Sequence, residues 1–246
     1  MTLALLFIIV VTPFLGALAT FFTGFGLNTI LVPVFMIYFD APLAVLMAGI
    51  VHLCNNILKV ALTARSINWN LFRNFGLPAL LFAFIGAQLL NTVKDTIGPL
   101  LPPIFGAIFI LFALLELFNW KLSLKGSWAM RIGGSLSGFF GGLSGHQGAL
   151  RSAFLTKVGL SKEAFIATGV LIACMIDISR MSVYFTNISK VKDSLNLNLL
   201  IVATLAAFIG VYFGNKLVKK ITITTIQKIV ALMIIIFAIA LGFGIV

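Results

Sequence analysis

His52, Asn55, Asn56 and Lys59 follow one another at i, i+3, i+4 and i+7 in a stretch that is otherwise Leu, Val, Ala and Ile. That is the spacing of one helix face. Ionisable groups inside an apolar span cost on the order of 3 kcal/mol each at the bilayer centre and default to a functional role. Taken singly, an interhelical hydrogen bond accounts for His52 or either Asn, and snorkelling to the cytoplasmic interface accounts for Lys59. Four together read as the lining of a cavity. A less regular stripe follows at Thr168, Asp177, Arg180 and Tyr184, in which Asp177 and Arg180 are spaced to form an i, i+3 ion pair near the outer end of their helix.

The sharpest chemistry lies where glycines interrupt apolar sequence. Gly145-His146-Gln147-Gly148 precedes Arg151 by a short turn, and Gly24-Phe25-Gly26-Leu27-Asn28 makes a similar break early in the chain. A guanidinium beside free backbone N–H groups and a helix N-terminus suits trigonal or tetrahedral oxyanions, through its fork geometry and the positive dipole end. The candidate anion site is therefore Gly24, Gly26, Asn28, His52, Asn55, Asn56, Gly145, His146, Gln147, Gly148 and Arg151. His52, His146 and Asp177 are the candidate proton carriers, and Arg180 joins them as a coupling or gating residue.

Other chemistries fit less well. Cys54 and Cys174 lie at matching positions of two apolar segments, with no CxxC or Cys/His metal spacing, so small core residues are expected and neither a metal nor a cofactor. An enzyme acting through a thiol would need a base or cation beside it, and His52, two positions before Cys54, points elsewhere on the helix. No Walker motif or dinucleotide fingerprint appears. No catalytic residues are assigned.

These residues must be held by elements that live in lipid. With 61% hydrophobic and 9% charged residues over 246 positions, the chain has too little polar surface to coat a water-soluble globule. The net charge of +11 sits in short clusters between apolar runs and reads as a topology signal, excluding nucleic acid as a partner. The first residues lack a basic n-region and their apolar run continues past Phe22, so a retained segment is expected there, not a cleaved signal peptide.

The chain is also duplicated. Ala83-Phe84-Ile85-Gly86 recurs as Ala207-Phe208-Ile209-Gly210, Asn68-Trp69-Asn70-Leu71 resembles Asn196-Leu197-Asn198-Leu199, and Ala44, Gly49 and Cys54 fall on Ala164, Gly169 and Cys174. Segments of spanning length are expected at about 41–64, 71–90, 98–118, 161–184, 197–217 and 225–246. Two remaining regions, 2–39 and 128–159, are too long for one crossing, and their glycine runs are expected to unwind a helix at membrane depth. Were each a single crossing, basic residues would divide evenly between the two faces. If each instead enters and leaves on one face, Arg65, Arg73, Lys121, Lys125, Arg131, Lys157, Lys162, Lys216, Lys219, Lys220 and Lys228 share a side. Opposite them stand Asp40, Lys94, Asp95, Lys190, Lys192 and Asp193, a bias that obeys the positive-inside rule.

The expected architecture is an all-α polytopic membrane protein forming one integral membrane domain. It comprises two inverted repeats, residues 1–120 and 126–246, each a broken or re-entrant hairpin plus three transmembrane helices, eight to ten membrane segments in all. Both termini then face away from the cytoplasm, and Trp69, Trp120 and Trp128 lie at the cytoplasmic interface.

The order of a glycine-rich break, an apolar stretch with proline, Pro42-Leu43-Ala44 and then a helix returns as Gly145-His146-Gln147-Gly148, Ser161-Lys162-Glu163-Ala164 and Thr168-Gly169. This pattern, over nearly the whole chain, resembles the TauE/SafE permeases. The resemblance implies a multi-pass inner-membrane carrier for sulfite or organosulfonates. The sequence departs from the family in its thinned first glycine run, in Ala153 near an expected proline, and in Ala48-Gly49 and Thr168-Gly169 where a Thr-Ser pair is usual. The expected partners are a small anion and the lipid bilayer, with a homodimer as one option for assembly. An anion channel and a membrane-embedded sulfur-handling enzyme are the alternative functions.

Overall fold

The computed structural model describes residues 3–20, 27–118, 126–156, 158–186 and 195–217, together with a few positions between 232 and 239. The helices are α1 (Leu3–Thr20), α2 (Leu27–Met36), α3 (Ala41–Thr63), α4 (Trp69–Leu71), α5 (Leu77–Ile97), α6 (Leu101–Leu117), α7 (Ser127–Ser144), α8 (Gly148–Leu155), α9 (Lys162–Phe185) and α10 (Leu197–Leu217). No strand occurs among the described residues. Among the described residues, four helical stretches are long and apolar enough to cross a membrane: Ala41–Ser66, Trp69–Leu115, Lys162–Phe185 and Leu197–Gly214. The Trp69–Leu115 stretch contains both α5 and α6, separated by the turn at Gly98-Pro99-Leu100. The expected span at 225–246 falls almost wholly outside the described residues, as do Trp120 and the charges at 121, 125, 157, 190, 192, 193, 219, 220 and 228.

The duplicated sequence marks serve as caps and contacts. The Asn68 carboxamide oxygen accepts from the Leu71 N–H at 2.9 Å, and Asn196 accepts from Leu199 at 3.1 Å. Each copy of the repeated Asn thus satisfies one orphan donor at the start of its helix. In the tetrapeptide, alanine and glycine face inward while Phe84, Ile85 and Ile209 are about half exposed, as side chains at a lipid surface would be. Gly86 meets the Phe139 carbonyl of α7, and Gly210 meets the Phe14 carbonyl of α1. α5 therefore packs against α7, the first described helix of the second half, and α10 against α1, the first described helix of the first half.

The α5–α7 contact is built on glycine. Gly134, Gly138 and Gly142, spaced at i, i+4 and i+8, lie against the backbone carbonyls of Phe75, Ala79 and Ala83, leaving no room for a β-carbon. With Ala79, Ala83 and Ala87 fully buried on the facing helix, the two backbones approach as small residues permit in lipid. This corrects one sequence expectation. Gly138, Gly141 and Gly142 do not unwind the helix but serve close packing, and α7 stays helical to Ser144. The break is confined to Gly145–Gln147, where Gly145 takes φ +80°, a left-handed conformation that suits glycine at a helix C-cap.

The same contacts fix directions. α7 and α5 run the same way, which brings the exposed Trp69 and Trp128 to one level. α9 also runs with α5: Gly76 lies beside Ile172, and the Ser179 hydroxyl donates to the Leu80 carbonyl at 2.8 Å. α3 and α9 are antiparallel, because Gly49 meets Arg180, His52 meets Asp177, and Asn68 N–H donates to Thr168 Oγ1 at 2.9 Å. Since α7 and α9 share a direction, the chain must return between them, and the break with α8 makes that return.

Candidate functional site

Antiparallel α3 and α9 bring their two polar stripes face to face. His52 Nδ1 donates to Asp177 Oδ2 at 2.6 Å, and Arg180 Nε donates to Asp177 Oδ1 at 3.0 Å with Nη2 2.7 Å from the same oxygen. Asn56 Nδ2 lies 3.1 Å from His52 Nδ1 and 3.2 Å from Nε2; because the ionised carboxylate only accepts, the Nδ1 proton goes to Asp177 and Nε2 is the ring atom able to accept from Asn56. Asp177, Arg180 and Asn55 are fully buried, and His52, Asn56 and Lys59 nearly so. One carboxylate thus holds two partners with a different oxygen for each, an arrangement strengthened by low surrounding dielectric.

Arg180 lies near the end of α9, as expected, yet it is the largest fully buried side chain described, packed between α3 and the hairpin break. Lys59 does not snorkel but is buried at 3% exposure. The Asp177–Arg180 ion pair is present as the i, i+3 spacing suggested.

The Arg180 guanidinium lies between two glycines. A β-carbon on Gly49 would fall 2.8 Å from Nη2, and one on Gly145 would fall 3.0 Å from Nη1. Asn28, in the first turn of α2, donates from Nδ2 to the Gly145 carbonyl at 2.8 Å, so the start of α2 meets the second break. Gly24 and Gly26 lie outside the described residues.

Arg151 occupies a comparable place on α8. Its Nη1 donates to Gln147 Oε1 at 3.3 Å, and a β-carbon on Gly169 would stand 3.4 Å from its Nε, in ordinary contact. Gly49 and Gly169, matched by the sequence repeat, therefore each face an arginine. Gln147 is oriented further by Ser137, whose hydroxyl donates to the Gln147 carbonyl at 2.9 Å. Gly148 opens α8 beside them.

His146 stands apart from the Asp177 network. Its ring stacks on Phe109 and Phe112 of α6, at centroid distances of 4.3 and 6.1 Å, while Nδ1 donates to the Ser144 carbonyl at 2.9 Å. The structure thus gathers His52, Asn56, Asp177 and Arg180 by hydrogen bonds, joins Asn28 to Gly145 and Gln147 to Arg151, and leaves His146 among phenylalanines.

Several buried polar atoms have no hydrogen-bond partner among the described residues: Asn28 Oδ1, both amide atoms of Asn55, His146 Nε2, Gln147 Nε2, Ser152 Oγ and both Arg180 Nη atoms, of which Nη2 keeps only its ion-pair contact with Asp177. Unmet polar groups at zero exposure cost roughly 1–3 kcal/mol apiece and are rare in folded proteins without a ligand or water to meet them. Those of Asn28, His146, Gln147 and Arg180 lie at or beside the break. Donors and acceptors both occur, and the Arg180 guanidinium stands among them, with the buried Arg151 on the helix that follows the break. The arrangement suits a small anion.

The matching family model is that of the sulfite exporter TauE/SafE, and it covers residues 6–241. The chain belongs to the TauE/SafE family. No curated protein and no solved structure gives a significant match. As a TauE/SafE protein of apolar helices it is a membrane protein of a transporter family.

A cavity of about 480 Å³ adjoins one end of the polar stripes. Asp40, Asn91, Lys94, Asp95 and Tyr184 contribute to its lining, so three charges that the loop count assigned to one face surround one space. Tyr184 lies one turn beyond Arg180 and donates its hydroxyl to the Gly142 carbonyl at 2.7 Å. Sequence reasoning named Tyr184 only as part of a stripe and missed Ser137 altogether. A serine inside a glycine run was the available signal. The free thiols Cys54 and Cys174 are half-buried and buried respectively.

Proposed function

We propose that this TauE/SafE protein is a secondary permease of the inner membrane that carries a small sulfur-containing oxyanion, sulfite or an organosulfonate, by proton-coupled alternating access. The observation that carries this reading is the set of buried, unmatched polar atoms at a helix break, Gln147 Nε2 and Arg180 Nη1 among them, with the buried Arg151 guanidinium on the helix that follows. Arg151, Gln147, Asn55, Asn56 and Asn28 bind the anion with the N–H groups of both breaks at Gly24, Gly26, Gly145 and Gly148. His52 and Asp177 carry the proton, Arg180 holds Asp177, and His146 shapes the wall through α6.

The scaffold for this cycle is a pair of inverted repeats, residues 1–120 and 126–246, with eight to ten membrane segments. Antiparallel α3 and α9, the exchanged contacts of Gly86 and Gly210, and the return between α7 and α9 support it. Such repeats place a site near the midplane and rock about it. The basic loops face the cytoplasm, which makes the cavity beside Tyr184 the outer vestibule.

Sulfite uptake into proteoliposomes, measured across imposed pH gradients, tests the reading. Saturable uptake that follows the gradient, and loses that response in His52→Gln or Asp177→Asn, is expected. Uptake indifferent to the gradient contradicts proton coupling, and flux that neither saturates nor supports counterflow makes the protein a channel.

A further inference from the structure

Arg180 has features that a structural ion pair alone does not require. Its Nη1 has no acceptor among the described residues although the side chain is fully buried. The guanidinium is accommodated by two glycines from different elements, Gly49 and Gly145. Beside it stand Asn28, whose Oδ1 is likewise unmatched, and, one helical turn away, Tyr184 at the wall of the cavity. Asp177, the only carboxylate on it among the described residues, touches Nε and Nη2 through a single oxygen, Oδ1, and commits the other oxygen to His52.

We propose that Arg180 is a second anion station on the cavity side of Arg151, and that Asp177 is its resident counter-anion, which an arriving oxyanion displaces. The proposal rests on the permease reading above and adds a location and a competition to it. A trigonal oxyanion such as sulfite can bridge Nη1 and Nη2 at once, satisfying the donor that Asp177 leaves unmet. Asp177 then remains hydrogen-bonded to His52, so the displaced carboxylate is not left bare in an apolar interior. Two stations in series, one with a built-in competitor and one held by the neutral Gln147, let an anion pass from one to the other without binding too tightly at either.

The competition is measurable as an affinity. A site occupied most of the time by its own carboxylate binds external anion more weakly by the fraction of time it is free, so removing the carboxylate strengthens binding by about tenfold or more. Thermal unfolding of the purified full chain is followed against sodium sulfite at constant ionic strength, in wild type, Asp177→Asn and the double variant Asp177→Asn/Arg180→Gln. The expected result is a sulfite midpoint for Asp177→Asn at least about tenfold below wild type, with the gain lost in the double variant. Should Asp177→Asn unfold without anion, its recovery as monodisperse protein when purified in sulfite, but not in chloride, supports the same displacement. No recovery in either salt counts against it.

A wild-type response with no downward shift in Asp177→Asn overturns the displacement while leaving the permease reading intact. No sulfite response in any variant overturns both. A gain that persists in the double variant places the anion elsewhere and overturns the Arg180 station.

Discussion

The two buried arginines sit against matched glycines of the sequence repeat, yet their surroundings differ. Arg180 is held by a carboxylate, flanked by Gly49 and Gly145, and fully enclosed. Arg151 rests over Gly169 at ordinary contact distance and is bonded by the neutral Gln147, its neighbour in the break. At Arg180 an arriving anion competes with Asp177, whereas the hydrogen bond between Arg151 and Gln147 brings no negative charge into competition.

Removing one partner from the Arg180 network has the largest expected effect. Arg180→Leu leaves the Asp177 carboxylate buried with His52 alone and is expected to cost about 3–5 kcal/mol of stability. Asp177→Leu/Arg180→Leu recovers most of it. Denaturation in mild detergent checks both, and a double variant as unstable as the single one would mean that the pair is not the source of the cost. Arg151→Gln reads the other side of the comparison: a smaller loss of stability than Arg180→Leu, with sulfite transport falling at least about tenfold, the factor that about 1.4 kcal/mol of lost binding represents.

The glycines sharpen the contrast through a difference in sign. Gly49→Ala drives a methyl into the Arg180 guanidinium and Met181, with an expected loss of about 1–3 kcal/mol. Gly169→Ala meets only ordinary contact with Arg151 and gains helix propensity, so it should be neutral or stabilising by up to about 1 kcal/mol. Equal losses at both positions would erase the distinction. The smallest effect is expected from Tyr184→Phe, which removes the hydroxyl bond to Gly142 for about 1 kcal/mol. That change should open the cavity side and raise sulfite exchange more than it alters stability.

Much of this arrangement was legible in the sequence because periodicity and repetition carry it. The α3 stripe from His52 to Lys59 is buried along one face, as its spacing required, and the repeated Asn68 and Asn196 prove to be equivalent caps. The glycine-rich region was harder to read, because glycine serves both for broken backbone and for close approach. In α7 the i, i+4, i+8 set serves packing, and only Gly145 bends the chain.

The pairing of His52 with Asp177 was not readable at all. It depends on α3 and α9 crossing in opposite directions at one register, a long-range fact that local spacing does not encode. The depth of Arg180 and Lys59 was missed for a related reason: distance along a helix does not say which neighbouring helix covers its end. His146, expected at the site from its motif, packs its ring against Phe109 and Phe112 of α6, far away in sequence, and leaves its Nε2 unmatched.

The central claim is that the buried cationic stripe recognises a sulfur oxyanion in transit. Counterflow tests it most directly: proteoliposomes loaded with unlabelled sulfite are diluted into trace labelled sulfite, and label accumulation is followed in wild type and Arg151→Gln. Transient accumulation above equilibrium in wild type, abolished or at least about tenfold slower in the variant, is the predicted result. Accumulation no greater than in protein-free liposomes, or identical in wild type and Arg151→Gln, would contradict the account.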